Sequence, residues 1–160
     1  MIKPKSISKL SIIAMPMMII CGLLVSGAPA RAEDNDGACS NRTLKGDYGF
    51  AVEGLVLPGP GVALALRGVH MTHFDGKGNL SQVDHIVVNG APPAVDWTPV
   101  TGTYQVNANC TGTIHLVPST GGFVNLRIVV VRQGKQIHAV VTAPFDGPAR
   151  TVTSVGTRVD

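Results

Sequence analysis

The chain has 160 residues, with 13 Lys or Arg against 10 Asp or Glu, 19 glycines and few aromatic residues. After residue 32 its basic residues are scattered singly. Binding to phosphates requires a cluster of positive charge, so we expect no nucleic-acid partner. Low charge together with many Gly, Val and Thr residues is typical of an all-β protein.

The first 32 residues have the three parts of a secretory signal peptide. Lys3, Lys5 and Lys9 form a positive start, residues 10–25 are almost wholly apolar, and small residues alternate up to Ala32. The apolar stretch is shorter than the ~20 residues that span a bilayer as a helix, so we expect cleavage and no stable membrane span afterwards. This predicts an exported protein, periplasmic or secreted. Nine basic and ten acidic residues remain after cleavage.

Cysteine usage agrees with export. The predicted mature chain keeps Cys39 and Cys110, because Cys21 leaves with the signal peptide. Two cysteines in an exported chain are expected to form one disulfide, here closing a loop of about 70 residues. The alternative is two free thiols. No Cys or His cluster has the spacing of a metal site, so we expect no metal and no cofactor.

Residues 33–45 form a predicted N-terminal arm, and residues 46–160 a single domain of short strands. The predicted strands alternate apolar and polar residues between turn signals, at residues 46–56, 62–74, 80–88, 100–107, 111–117, 122–131, 136–142 and 150–159. Turns are predicted at residues 57–61, 75–79, 118–121, 133–135 and 144–149, and the longest irregular stretch is residues 89–99. No segment has a helical period.

Short connections favour antiparallel neighbours, and eight antiparallel strands can close into an up-and-down barrel. Closure removes the exposed sheet edges that promote aggregation. The predicted fold is therefore an all-β, eight-stranded antiparallel barrel. The alternative is a two-sheet β-sandwich.

Several motifs between residues 39 and 113 carry a family resemblance. They are LKGDYGF (44–50), FDGKGNL (74–80), NG (89–90), TGTYQVN (101–107) and CTGT (110–113). In this order they resemble a group of small bacterial exported proteins of largely unassigned function, whose calycin-like barrel is similar to that of allene oxide cyclases. The resemblance implies the barrel. It implies no catalytic residue, because the matching positions are turn glycines, a cysteine and core aromatics.

His70 and Asp84 are the candidate catalytic pair. The turn at residues 75–79 joins their strands, and counting back from it places the two residues near each other. A carboxylate beside an imidazole can orient it as a base. The alternative is that each histidine is an ordinary surface or hydrogen-bonded residue. His70 and His73 lie on opposite faces of a strand, so they do not predict a zinc site.

Further polar side chains are candidates for ligand binding if their strand faces point into the barrel. They are Thr72, His115 and His138. The irregular stretch at residues 89–99 adds Val95 and the single tryptophan, Trp97, because long loops at a barrel mouth often cover a cavity. The alternative is that Trp97 plugs the barrel end. Which faces point inward stays open, since a register slip of one residue inverts them all.

The leading functional hypothesis is a non-enzymatic exported barrel that binds a small apolar or amphipathic molecule, or a protein partner. An enzyme of cyclase or isomerase type, acting on an apolar substrate through His70 and Asp84, is the first alternative. A structural, envelope-associated protein with a filled barrel is the second. The sequence does not indicate an oligomeric state.

Overall fold

A computed structural model describes residues 38–142 and 147–160 of the chain. The predicted signal peptide, residues 1–32, lies outside the described residues. Eight strands occur in chain order: β1 Lys45–Gly59, β2 Val62–Asp75, β3 Asn79–Val88, β4 Thr98–Val106, β5 Thr111–Pro118, β6 Val124–Val131, β7 Gln136–Thr142 and β8 Ala149–Arg158. Two single-turn 3-10 helices, Asn41–Thr43 and Arg132–Gly134, complete the described part. No helix in this part is both long and apolar enough to cross a membrane.

The strands form one closed antiparallel barrel. Each strand pairs with the next along the chain, and β8 pairs back onto β1 from Tyr48↔Arg158 to Leu57↔Ala149. The predicted eight-stranded up-and-down barrel is confirmed, and the alternative of a two-sheet sandwich is wrong. Because every strand has two neighbours, no strand edge remains unpaired in the described sheet.

Three strand boundaries differ from the sequence-based expectation by two or three residues: the end of β1, the start of β4 and the start of β6, which begins at Val124 instead of residue 122. β1 continues through Gly59, so the predicted turn at residues 57–61 shrinks to Pro60 and Gly61. Pro58 fits inside β1 because it follows the last β1–β8 pair, where no ladder hydrogen bond is required of it. β4 begins at Thr98, and its second residue, Pro99, pairs with Val83 of β3. Proline is tolerated there because it lies at the start of a strand.

The half of the barrel nearest the N-terminal arm is filled. Its core consists of apolar and aromatic side chains that point inward from the strands or rise from the arm: Leu44, Tyr48, Phe50, Phe74, Leu80, Tyr104, Val106, Ile114, Leu126, Ile128, Val130, Ile137 and Ala139. Phe74 contacts Tyr48 and Tyr104 edge to face, with ring centroids 5.3 and 5.0 Å apart. Such geometry places ring edges against ring faces, the favourable arrangement for aromatic pairs.

Residues 38–44 of the N-terminal arm close this end of the barrel, which we call the base. Leu44 is fully buried, and the Tyr104 hydroxyl donates a hydrogen bond to the Leu44 carbonyl at 2.9 Å. The side-chain oxygen of Asn41 accepts a hydrogen bond from the Val106 amide at 2.8 Å. These contacts attach the arm to the end of β4.

The predicted disulfide between Cys39 and Cys110 is confirmed, with the two Cα atoms 4.9 Å apart. Beside it, the Cys39 amide donates a hydrogen bond to the Ala108 carbonyl at 3.1 Å. The link joins the arm to the β4–β5 turn and closes a loop between residues 71 positions apart, which chain-entropy arguments associate with a stabilisation of roughly 4 kcal/mol.

The opposite end, which we call the mouth, is bordered by the other connections. They are residues 60–61, 89–97 and 119–123, together with residues 147–148 before β8. Part of the predicted turn at residues 144–149 lies outside the described residues. Because the base is filled, any space inside the barrel lies near the mouth.

Candidate functional site

The barrel interior near the mouth contains a cavity of about 680 Å³. This volume lies within the range of ~300–1,000 Å³ that is common for small-molecule sites. Its walls are mostly aliphatic side chains that point inward from six strands: Val52, Leu66, Ile86, Val124, Val141 and Val152. An apolar molecule of modest size would meet complementary surface there.

Three polar side chains of the cavity wall, His70, Gln82 and Asp84, form one chain of hydrogen bonds through Thr72, which is buried and does not line the cavity. His70 Nδ1 lies 3.0 Å from Thr72 Oγ1, the Thr72 hydroxyl donates to Gln82 Oε1 at 2.8 Å, and Gln82 Nε2 reaches Asp84 at 3.5 Å. The register of β2 and β3 pairs His70 with Asp84 and Thr72 with Gln82. The strands therefore bring the candidate pair side by side, while Thr72 and Gln82 provide the hydrogen-bonded side-chain links between them.

The direction of this chain determines which nitrogen of His70 carries the proton. An ionised Asp84 can only accept, so Gln82 presents its amide N–H to the carboxylate and its oxygen to Thr72. The Thr72 hydroxyl then donates its proton to Gln82 and accepts from His70 Nδ1–H. His70 Nε2 is left as a hydrogen-bond acceptor, and it has no partner among the described residues.

Burial shifts the pKa values of both candidate residues. Desolvation lowers the pKa of His70 to about 4, and the ring stacks on Phe50 at a centroid distance of 4.3 Å. Desolvation also raises the pKa of Asp84, although the hydrogen bond from Gln82 acts in the opposite direction. His70 is therefore neutral at pH 7. A base with so low a pKa abstracts protons weakly, so this arrangement suits hydrogen bonding to a ligand better than proton removal.

Thr72 belongs to this buried chain, but the two other candidate histidines point away from the barrel interior. His115 is exposed on the outer face, where its Nδ1 lies 2.8 Å from Asn125 Oδ1. His138 is also exposed, on the outer face of β7. Neither side chain lines the cavity, so the proposed site does not include them.

Trp97 and Val95 also lie outside the cavity. They are 48% and 47% exposed, and the Trp97 ring packs against His85 on the outer wall at a centroid distance of 5.8 Å. The carbonyl of Asp96 lies 2.6 Å from His85 Nδ1 and attaches this part of the loop to β3. Trp97 therefore does not plug the barrel end. The same loop does reach the mouth through three other residues, Ala91, Pro92 and Pro93.

Sequence reasoning missed Arg150, which also lines the cavity. Arg150 shares the inward face of β8 with Val152 and Ser154, and its Nε is buried without a hydrogen-bond partner among the described residues. Alternation along residues 150–159 places Arg150 on the same strand face as Val152, but it does not show which face points into the barrel.

Among the described residues, no group of three His, Cys, Asp or Glu side chains is placed to hold a metal ion.

Comparison with known proteins adds little. No protein-family model matches the chain, and no curated protein matches it. One matching solved structure is a designed protein, described as the "De novo design of a fluorescence-activating beta barrel". It is 13% identical with a TM-score of 0.47, and the match covers 74% of this chain and 96% of that one. A similarity this low carries no argument about function.

Proposed function

We propose that this protein is exported and binds a small, largely apolar molecule inside its barrel. The observation that carries the proposal is the cavity of about 680 Å³ near the mouth, with aliphatic walls and a few polar groups in one buried chain. Ligand sites commonly combine apolar walls with a small number of placed polar groups.

The two halves of the barrel support this proposal. Aromatic and aliphatic side chains fill the half beside the base, whereas side chains of the same kinds leave open space beside the mouth. A purely structural barrel would gain stability from a filled interior throughout, because close packing maximises dispersion contacts. The cavity thus favours a binding role over a structural one.

The disulfide supports export. Disulfides form and persist in oxidising compartments and are rare in the cytosol. The Cys39–Cys110 bridge therefore agrees with the signal-peptide features of residues 1–32. Mass spectrometry of the protein from its host's exported and cytoplasmic fractions tests this part. We expect an exported chain that begins after Ala32, and a full-length chain confined to the cytoplasm would contradict it.

Binding is tested with N-phenyl-1-naphthylamine, a neutral apolar probe that fluoresces in dry surroundings. Val56→Trp places a large ring in the cavity, and Val117→Trp makes the same substitution on the outer face of β5. We expect the unchanged protein and Val117→Trp to bind the probe with equal affinity, and Val56→Trp to lose most binding. Equal binding by both variants, or none by the unchanged protein, would refute the proposal.

The hydrogen-bond chain from His70 to Asp84 favours one second function, proton transfer on the bound molecule in a cyclase or isomerase reaction. Here His70 Nε2 would take a proton from the substrate. Native mass spectrometry of the exported protein identifies the molecule that co-purifies with it. If that molecule gains deuterium from D₂O with the unchanged protein and not with His70→Phe, the enzymatic role is supported; no exchange with either would refute it.

A further inference from the structure

Arg150 is the second residue of β8 and so lies beside the mouth. It opposes Val56 across the β1–β8 pairing and lines the cavity with it. Its Nε is buried without a hydrogen-bond partner, and no carboxylate of the described residues comes within 4.0 Å of its guanidinium. An arginine in this position holds a permanent positive charge against an apolar wall.

The side chain is half-exposed, but its buried Nε is unfavourable unless something else accepts a hydrogen bond from it. Buried polar groups in folded proteins are nearly always hydrogen-bonded, and each exception calls for an explanation. The guanidinium offers several N–H donors in a planar fork that fits the paired oxygens of an anionic group. An anion at the mouth would satisfy the unpaired Nε and the charge together.

The other titratable side chains of the cavity neither pair with Arg150 nor add a second positive charge. Only His70 and Asp84 join Arg150 among the titratable side chains that line it in the described part of the chain. His70 is neutral at pH 7, and Asp84 is directed to Gln82. Arg150 is therefore the single fixed positive charge on the described cavity wall, and it lies at the end where a ligand enters.

Resting on the proposed binding function, we infer that Arg150 forms an anion subsite at the mouth and that the ligand is an apolar molecule bearing one anionic group. Carboxylate, sulfonate and phosphate monoester share the required chemistry. The anionic group pairs with Arg150 near solvent. The apolar body extends inward along the aliphatic walls toward His70 Nε2, which can accept a hydrogen bond from the ligand.

The test compares two probes that differ only in one anionic group. 1-Anilinonaphthalene-8-sulfonate carries a sulfonate on the same ring system as neutral N-phenyl-1-naphthylamine. Each is titrated into the unchanged protein, Arg150→Gln and Arg127→Gln, and mutual displacement establishes that the two probes share one site. Arg127 is the matched control because it is exposed on the outer face of β6, and its removal changes net charge equally.

In Arg150→Gln we expect the dissociation constant of the sulfonate to rise about tenfold or more, the usual scale for losing a charge-assisted hydrogen bond. The affinity of the neutral probe should change by less than about twofold in the same variant, because this probe has no anionic group to pair with Arg150. Arg127→Gln should leave both affinities unchanged.

Each outcome separates the anion subsite from the underlying binding function. If both probes bind but Arg150→Gln leaves their affinity ratio unchanged, the anion subsite is refuted and the apolar site stands. If the neutral probe does not bind the unchanged protein, the proposed function itself fails. Should Arg150→Gln not fold, Arg150→Lys decides: it keeps the charge but not the fork, so we expect selective weakening of the sulfonate, and an unchanged ratio would overturn the inference.

Discussion

The imidazole of His70 stacks face to face on the Phe50 ring, with centroids 4.3 Å apart and planes inclined by 16°. One ring face of His70 is thus covered by an apolar group, while its Nδ1 contacts Thr72. This packing joins the filled core to the cavity, because Phe50 belongs to the core and His70 lines the cavity.

The burial of neutral His70 predicts that stability falls on mild acidification. Its pKa is about 4 in the folded protein and about 6.5 when unfolded, so the unfolded chain binds the extra proton first. Stability contributed by the neutral form is complete above pH 6.5 and is lost as the pH falls toward 4. The loss is at most roughly 3 kcal/mol, because the ring is not fully buried.

Urea unfolding between pH 7 and 4 measures this effect, with His70→Gln and His138→Gln as the paired variants. We expect His70→Gln to lose most of the slope and His138→Gln, which changes an exposed ring, to keep it. Asp84 works in the opposite sense, because a raised pKa stabilises the protonated form at low pH. A slope that survives in His70→Gln would show that another group causes it.

Gly156 packs closely against the Phe50 ring that stacks on His70, and this packing predicts that a larger residue is not tolerated there. A Cβ built at Gly156 would lie 2.3 Å from two atoms of the Phe50 ring, so Gly156→Ala must displace that ring. We expect destabilisation of about 1–3 kcal/mol, the usual cost of overpacking a core. Denaturant unfolding measures the change.

Gly59→Ala is the control for Gly156→Ala, because an added Cβ at Gly59 meets no atom within 4 Å. It should change stability by less than about 0.5 kcal/mol, as surface substitutions usually do. Equal effects of the two substitutions would contradict the close approach of Phe50 to β8.

The hydrogen bonds to Asp75 predict a second loss of folding stability in acid, separate from that caused by His70. The Asp75 carboxylate accepts hydrogen bonds from the Asn79 side chain at 2.7 Å and from three backbone amides of the β2–β3 turn, which lower its pKa to about 2. With an unfolded pKa near 3.9, its contribution is present above about pH 4 and is lost as the pH falls toward 2. This window lies below that of His70.

Asp75→Asn should therefore reduce stability at pH 7 and flatten its decline between about pH 4 and 2. Glu53→Gln, which changes an exposed carboxylate on the outer face of β1, is the control. Thermal unfolding followed by circular dichroism at several pH values provides the measurement. An unchanged decline in Asp75→Asn would indicate that the turn does not stabilise the carboxylate.

The position of Trp97 outside the cavity predicts that its side chain does not contribute to ligand affinity. Because its ring packs on His85 outside the cavity, Trp97→Phe should leave the affinity for N-phenyl-1-naphthylamine unchanged. Ile86→Trp, which changes a wall residue of the cavity, should weaken it. A marked loss of affinity in Trp97→Phe would place the ring at the site in solution.

The order and type of the strands could be predicted from the sequence because alternation and turn residues are local signals. The turn at residues 75–79 also brought His70 and Asp84 together correctly, since a hairpin relates two strands by simple counting. The disulfide followed from the number of cysteines left after the predicted cleavage.

The facing of each strand could not be predicted, because alternation does not say which side is the interior. His115 and His138 stand on patterned strands like that of His70, yet they point outward. Arg150 was missed for the converse reason: an arginine on an inward face contradicts the usual pattern. The position of Trp97 depends on contacts between the loop and β3, which no local pattern reveals.

Methyl NMR of the protein during titration with N-phenyl-1-naphthylamine shows whether the cavity near the mouth is the binding site. We expect the ring-current shifts to concentrate on the inward methyl groups of Val52, Ile86 and Val141. Shifts confined to exposed methyl groups on the outer face, such as those of Val69, Val129 and Val155, would contradict it.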